Sequence, residues 1–290
     1  MHTKFLALLG LAVCASAQRF VRFVSTDGKT YTGDAILPAG DFDASHSTQA
    51  KVITGDILGD FTVTNEVKTI KTLLSPLDPD RTRTVRCVGF NYATHAVEAN
   101  VTIPDFPILF FKPWTSLAAP NGKVPVTAGY QNQTTNGTLF VSSMDYETEL
   151  VVVIKTKGFN ISEADALDHV LGYSAGYDVS HRGWQIDRGG QPQPQYSMGK
   201  DADGWGPWGP ALVSTSIIKD PQNLNLWTKV NGMVSFFSMG ITLMPGDIIF
   251  TGTPSGVQLG KANPVWLQNG DVVETGTENI GTCTNTITYV

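Results

Sequence analysis

A chain of 290 residues with 41% hydrophobic and 16% charged side chains can bury a full core, which excludes a disordered or fibrous protein. Its 20 Lys and Arg against 26 Asp and Glu give a formal charge of −6, and no basic block recurs, so nucleic acid is not an expected partner. No repeat of fixed period and no low-complexity tract runs through it.

The opening residues MHTKFLALLGLAVCASA combine a basic start (His2, Lys4), a short apolar core from Phe5 to Val13 and the small residues Ala15, Ser16 and Ala17. That pattern predicts a secretory signal peptide over residues 1–17, cleaved after Ala17. The apolar core is too short to span a bilayer as an anchor, and no later run is long enough. A secreted chain with no membrane contact after signal removal is therefore expected; losing Lys4, the one charged residue there, takes the charge from −6 to −7. Asn-x-Ser/Thr sequons at Asn100, Asn132, Asn136 and Asn160 suit that route. Cys87 and Cys283 stay once Cys14 leaves, in the strand-like contexts VRCVGF and GTCTNT. A disulfide between them and two small buried thiols are both open.

Residues 18–80 read as a small N-terminal β-rich domain. RFVRFVS, KTYTGDAIL and GDFTVT alternate with Gly and Asp turns, and a helical patch follows before the turn-rich SPLDPDRTR. Residues 81–290 form a second, strand-rich domain through TVRCVGF, PILFFKP, ELVVVIKT, PALVSTSII, DIIFTGTP and DVVETGTENIGTCTNTITYV. One clear helix is predicted from Ser162 to Leu171, capped by Ser162 with Asp165 and stopped by Gly172. His169 falls on its polar side and reads as a solvated histidine. So many strands and so few helices exclude a parallel βαβ sheet, and the fold class is α+β, β-rich.

Within MDYETELVVVI, strand alternation puts Glu147 and Glu149 on one face and Thr148, Leu150, Val152 and Ile154 on the other. Two adjacent carboxylates repel, yet Val151 and Val153 continue their face, so solvent cannot relieve it along its whole length. A third acid, Asp178, ends the apolar run LGYSAGYDV. Three hard oxygen donors suit Mg²⁺, Mn²⁺ or Ca²⁺ and not a structural Zn²⁺; an edge strand with exposed glutamates is the alternative. Lys200, in YSMGKDADGWGPWGP, stands in a backbone-restricted loop where an ammonium can face a carboxylate or a forming oxyanion, although most loop lysines are solvated. His95 and Glu98 lie at i and i+3 in NYATHAVEAN and can meet on a short helix, where a carboxylate fixes the imidazole tautomer as a general base requires, although such a pair is also common on surfaces. TGTPSGV, from Thr251 to Val257, is either a plain turn or one whose amides and hydroxyls bind a carboxylate or carbonyl.

VGFNYATHAVEA, FFKPWTSL, DYETELVVVI, GYDVSHRGWQ, GKDADGWGPWGP, MPGDIIFTGTPSGV and NGDVVETGTENIGT together, in order and spacing, resemble the fumarylacetoacetate hydrolase family over residues 84–290. The resemblance implies a mixed β-roll with few short helices and a small N-terminal domain, and a homodimer. It implies a divalent cation on Glu147, Glu149 and Asp178, a water-activating dyad of His95 and Glu98, Gln185 and Lys200 holding a 2-oxo acid, and Thr253 lining the pocket. The implied activity is hydrolysis of a carbon–carbon bond in an acylpyruvate or similar diketo acid. The same site without the water step serves a 2-oxo acid tautomerase or decarboxylase acting on oxaloacetate.

Two departures bear on that activity. VNGMV, from Val230 to Val234, runs almost directly into SFFSMG, where the family carries roughly twenty more residues, including a helix. Loss of that helix opens one wall of the pocket and leaves room for a third reading, a secreted, catalytically impaired metal-binding relative; a true deletion and a misassembled gene are both open. Gly183 stands where many members have an acid, which removes one ion pair near the pocket. A glycan on Asn100 would also crowd the dyad.

Overall fold

The computed structural model describes residues 17–188, 194–224, 234 and 236–290. Almost all of the expected signal peptide, and the short-spaced segment up to Ser235 apart from Val234, lie outside the described residues.

The N-terminal part is four strands, β1 (Arg19–Ser25), β2 (Thr30–Ile36), β3 (Gln49–Gly55) and β4 (Phe61–Leu74). β4 is one strand of 14 residues where the sequence predicted strand and then helix. Its run of Thr62, Val63, Thr64, Val67, Thr69, Ile70 and Thr72 is β-branched and stiff at χ1, which favours a pleated ribbon. Register shifts against β1 and β3 break its two-residue period, and that break is what imitated a helix.

The larger part follows with β5 (Val85–Gly89), α1 (Ala93–Glu98), β6 (Ile108–Lys112), β7 (Leu117–Ala118), β8 (Asn121–Val126), β9 (Gln133–Thr135) and β10 (Thr138–Phe140). Next come β11 (Met144–Asp145), β12 (Thr148–Ile154), β13 (Val170–Tyr177), β14 (Ser180–His181) and α2 (Tyr196–Lys200). The chain closes with β15 (Gly206–Ser214), β16 (Ile248–Phe250), β17 (Val272–Thr277) and β18 (Gly281–Tyr289). The main sheet runs β2-β3-β4-β1-β15-β13-β12-β16-β5-β6, with β7 joined to β15. It is mixed: β16 lies parallel to β5 and β7 to β15, and the other pairs are antiparallel. β1 pairs with β15 through Arg19↔Val213 and Phe20↔Leu212, so the N-terminal strands continue the central sheet. A second sheet, β17-β18-β8, packs on Met144, Tyr177, Val179 and Trp205.

β12 and β13 are the centre. Leu150, Val152 and Ile154 enter one apolar cluster and Val151 and Val153 another, so both faces of β12 are buried, as the apolar run through both faces requires. The helix expected from Ser162 to Leu171 is reduced to a single 3₁₀ turn, Ala166–His169. The Ser162 hydroxyl does accept from Asp165 N–H at 3.2 Å, but Val170 and Leu171 belong to β13, where pairing on both edges and burial outrank the helical period. His169 bonds the Thr156 carbonyl through Nδ1 at 2.9 Å. Cys87 and Cys283 are free, buried thiols in different clusters, which closes the disulfide alternative. Among the described residues no helix is long and apolar enough to cross a membrane.

Candidate active site

The antiparallel register of β12 and β13 builds the floor of the site. Thr148 faces Tyr177 and Glu149 faces Gly176, and one more ladder bond, Asp178 N–H to the Glu147 carbonyl at 3.0 Å, joins the start of β12 to the end of β13. Residues distant in sequence are thereby forced to one point. One carboxylate oxygen from each of Glu147, Glu149 and Asp178 lies within 4.8 Å of the others, and all three side chains are buried.

Buried cations surround them. Lys200, the last residue of α2, donates to Glu147 Oε2 at 2.6 Å, Asp178 Oδ2 at 2.7 Å and Ser180 Oγ at 2.6 Å. Lys112, at the end of β6, donates to Asp178 Oδ1 at 2.7 Å and to the Lys200 carbonyl. Arg182 forks between Asp145 Oδ2 at 2.8 Å, Glu147 Oε1 at 2.6 Å and Gln185 Oε1 at 2.8 Å. Arg182 thus finds its acids on the sheet side, without one at Gly183.

Glu149 is treated differently. It accepts from Gly252 N–H at 2.7 Å, in the turn after β16. Gly252 has φ +86°, and a Cβ there would meet the Val88 carbonyl at 2.9 Å, so only glycine brings that amide to Glu149. This amide of the TGTP turn therefore serves a carboxylate of the protein itself. Burial, with Asp178 and Glu147 beside it, pushes the Glu149 carboxyl well above the usual range. Burial alone would also raise Glu147, but Lys200 and Arg182 outweigh it and hold that group down to about 2. Burial lowers Lys200, and Asp178 and Glu147 more than reverse it, so its ammonium form is favoured. A buried set of three hard oxygen donors, one of them raised by its like-charged neighbours, fits a divalent cation, which would relieve that repulsion.

A small cavity adjoins this floor. Five of the expected residues line it: His95, Glu147, Gln185, Lys200 and Thr253. Glu149 and Asp178 are not on its wall and meet it through Glu147 and Lys200. Glu98 stands behind His95: its Oε1 is 2.8 Å from His95 Nδ1, and its Oε2 accepts from Gly256 N–H at 2.8 Å. With Nδ1 engaged, Nε2 is the ring nitrogen left for chemistry in the cavity. All eight expected site residues therefore belong to one constellation.

Sequence reading gave no role to Phe90, Phe110, Arg182 and Tyr196 on the wall, or to Lys112 and Asp145 behind it. Lys112 had a signal, since a lysine closing the apolar strand ILFFK just before Pro113 is buried by its own neighbours. Asp145 had one as well, standing two residues before Glu147 in the same acidic run.

A central mixed sheet gathers buried carboxylates, lysines and a His–Glu pair around one small cavity, a strand-rich fold with a site equipped for acid–base chemistry on a polar ligand. The family model for the fumarylacetoacetate (FAA) hydrolase C-terminal region matches residues 84–235 and 232–288, two pieces that meet at the short-spaced segment. The chain is 34% identical over 290 residues to caffeoylpyruvate hydrolase of Neonothopanus nambi, covering 95% of this chain and 94% of that one. It is 36% identical over 233 residues to oxaloacetate tautomerase fahd2, mitochondrial, of Xenopus laevis, covering 74% and 68%. Among solved structures, fumarylacetoacetate hydrolase from Exiguobacterium antarcticum superposes with a TM-score of 0.71 at 28% identity, over 95% of this chain and 100% of that one. The 2-hydroxyhepta-2,4-diene-1,7-dioate isomerase of Mycobacterium marinum gives 0.71 at 28%, over 94% and 98%. This protein belongs to the fumarylacetoacetate hydrolase family, whose enzymes include hydrolases, isomerases and tautomerases of oxo acids.

Proposed function

We propose that this enzyme is a divalent-metal-dependent hydrolase that cleaves a carbon–carbon bond in an acylpyruvate or similar diketo acid. The observation that carries it is the meeting, on one cavity, of the Glu147–Glu149–Asp178 floor with His95 backed by Glu98. Glu147, Glu149 and Asp178 would hold Mg²⁺, with Mn²⁺ or Ca²⁺ as substitutes, and the bound ion supplies Lewis acidity to the oxo-acid end of the substrate. Gln185, Lys200 and Thr253 line the wall against that end. Glu98 holds the His95 proton on Nδ1, so Nε2 accepts a proton from water. The water oxygen bonds to the acyl carbonyl carbon, the carbon–carbon bond breaks, and its electron pair leaves as the enolate of pyruvate. His95 returns its proton to that enolate, and the acyl group departs as a carboxylic acid.

A second reading, keto–enol tautomerisation or decarboxylation of oxaloacetate, needs the same floor and no attacking water. The tautomerase among the relatives favours it. A third, a secreted metal-binding relative with impaired turnover, draws on the short-spaced segment where the family match breaks. Pyruvate release from an acylpyruvate, measured beside enol loss and CO₂ release from oxaloacetate, with and without EDTA, separates them. Enol loss or CO₂ release from oxaloacetate, with no pyruvate released from the acylpyruvate, would leave the second reading standing. No reaction on either substrate would leave the third, and turnover unaffected by EDTA would sink the metal-dependent mechanism.

Secretion with cleavage after Ala17, glycans on the exposed sequon asparagines, and a homodimer are part of the proposal. Mass spectrometry of the secreted N-terminus and of glycosidase-treated protein, and a sedimentation mass of two chains, test these points.

A further inference from the structure

We infer that the substrate of this cavity carries a single carboxylate, at its oxo-acid end, and a neutral, flat acyl group. The inference rests on the oxo-acid reading above and narrows it to one substrate class.

Charge makes the first argument. Four buried carboxylates, Asp145, Glu147, Glu149 and Asp178, face three buried cations, Lys112, Arg182 and Lys200. With all four carboxylates ionised around a divalent ion, that excess of one negative charge becomes an excess of one positive charge. One substrate carboxylate neutralises the site; a second would be a buried anion without a partner. Among the described residues, Arg182 and Lys200 are the only Lys or Arg on the cavity wall, and both are engaged. Lys200 directs its three N–H donors at Glu147, Asp178 and Ser180, and Arg182 is held by Asp145, Glu147 and Gln185.

The rest of the wall makes the second. Phe110 and Tyr196 stack with ring centroids 4.9 Å apart and planes 18° apart, and Phe90 stacks on His95 at 5.1 Å and 21°. Val88 and Leu259 complete an apolar side that offers ring faces and methyl groups, and no charge, to the acyl group. Phe90 also has φ +50°, a left-handed backbone that a bulky side chain rarely adopts. Strain of this kind persists at functional positions, and here it lays an aromatic ring over the general base. Glycine would adopt that backbone without strain, so Phe90 is a specificity-determining residue kept at a conformational penalty.

Non-cleavable 2-oxo acids test this by calorimetry on the Mg²⁺-loaded wild-type protein: pyruvate, 2-oxo-4-phenylbutanoate with a neutral aryl tail, and 2-oxoadipate with a carboxylate tail. The aryl acid is expected to bind at least about tenfold more tightly than 2-oxoadipate. Phe90→Gly should reduce that ratio to about threefold or less without lowering the melting temperature, and Phe90→Leu, which keeps an apolar side chain but no ring, should reduce it as well. Binding of pyruvate with 2-oxoadipate equal to or tighter than the aryl acid overturns this inference alone. So does binding of both tailed acids no tighter than pyruvate. Failure of all three to bind overturns the oxo-acid reading itself.

Discussion

The floor of the cavity and its α1 side are built in opposite ways. The floor is fixed by long-range pairing: β12 against β13 brings Glu147, Glu149 and Asp178 together, and Lys112, Arg182 and Lys200 lock Glu147 and Asp178 through buried ion pairs. The α1 side is local. His95 and Glu98 sit on a six-residue helix with no side-chain N-cap bond and an exposed Val97, followed by exposed Val101, Ile103 and Phe106. A buried, charge-rich floor resists change because removing any member leaves another charge unpaired. This short helix buries only His95 and Ala96 and is tied across the chain by the Glu98–Gly256 bond and the Phe90 stack, with no long-range ion-pair network, so this is where changes alter rate without altering the fold.

That contrast makes graded predictions. Glu149→Gln should abolish Mg²⁺ binding by calorimetry, the largest effect, because it removes a carboxylate that is held by the Gly252 amide and by no cation among the described residues. His95→Ala should lower kcat by about 10² to 10⁴-fold and leave Mg²⁺ affinity unchanged; a matching loss of affinity would mean that floor and wall are not separable. Lys112→Met should destabilise the protein by about 3 kcal/mol or more in urea unfolding, since it strips Asp178 of one buried partner.

The pH response is smaller. The folded pKa of Glu149 is raised, so the metal-free folded state holds a proton that the unfolded chain releases. Its contribution to stability is present below the ordinary carboxylate range and is lost as pH rises through the raised value. Mg²⁺ cancels that loss, and the gap in melting temperature between Mg²⁺ and EDTA samples should widen from about pH 5 to about pH 8. A gap that stays constant across that window contradicts the assignment. Smallest of all, Val97→Ser on the exposed face of α1 should change stability by less than about 0.5 kcal/mol.

Sequence exposed the floor better than the fold around it. Glu147 and Glu149 were legible because strand alternation is a local rule, and His95 with Glu98 because a helical turn is local too. The register that delivers Asp178, and the partnership of Lys112 with it across 66 positions, are properties of pairing and not of any short run. Both helices expected outside the site failed for one reason: in β4 and at Val170–Leu171 a helix-like spacing of apolar residues gave way to pairing on two edges of a sheet. Phe90 was invisible because its role depends on a positive φ, for which glycine or asparagine is the usual signature.

The most direct test of the central claim is anomalous diffraction from crystals grown with Mn²⁺. The account predicts a peak coordinated by Glu147, Glu149 and Asp178, absent in Glu149→Gln. Mn²⁺ bound elsewhere, or no peak between these three carboxylates at saturating metal, would contradict it.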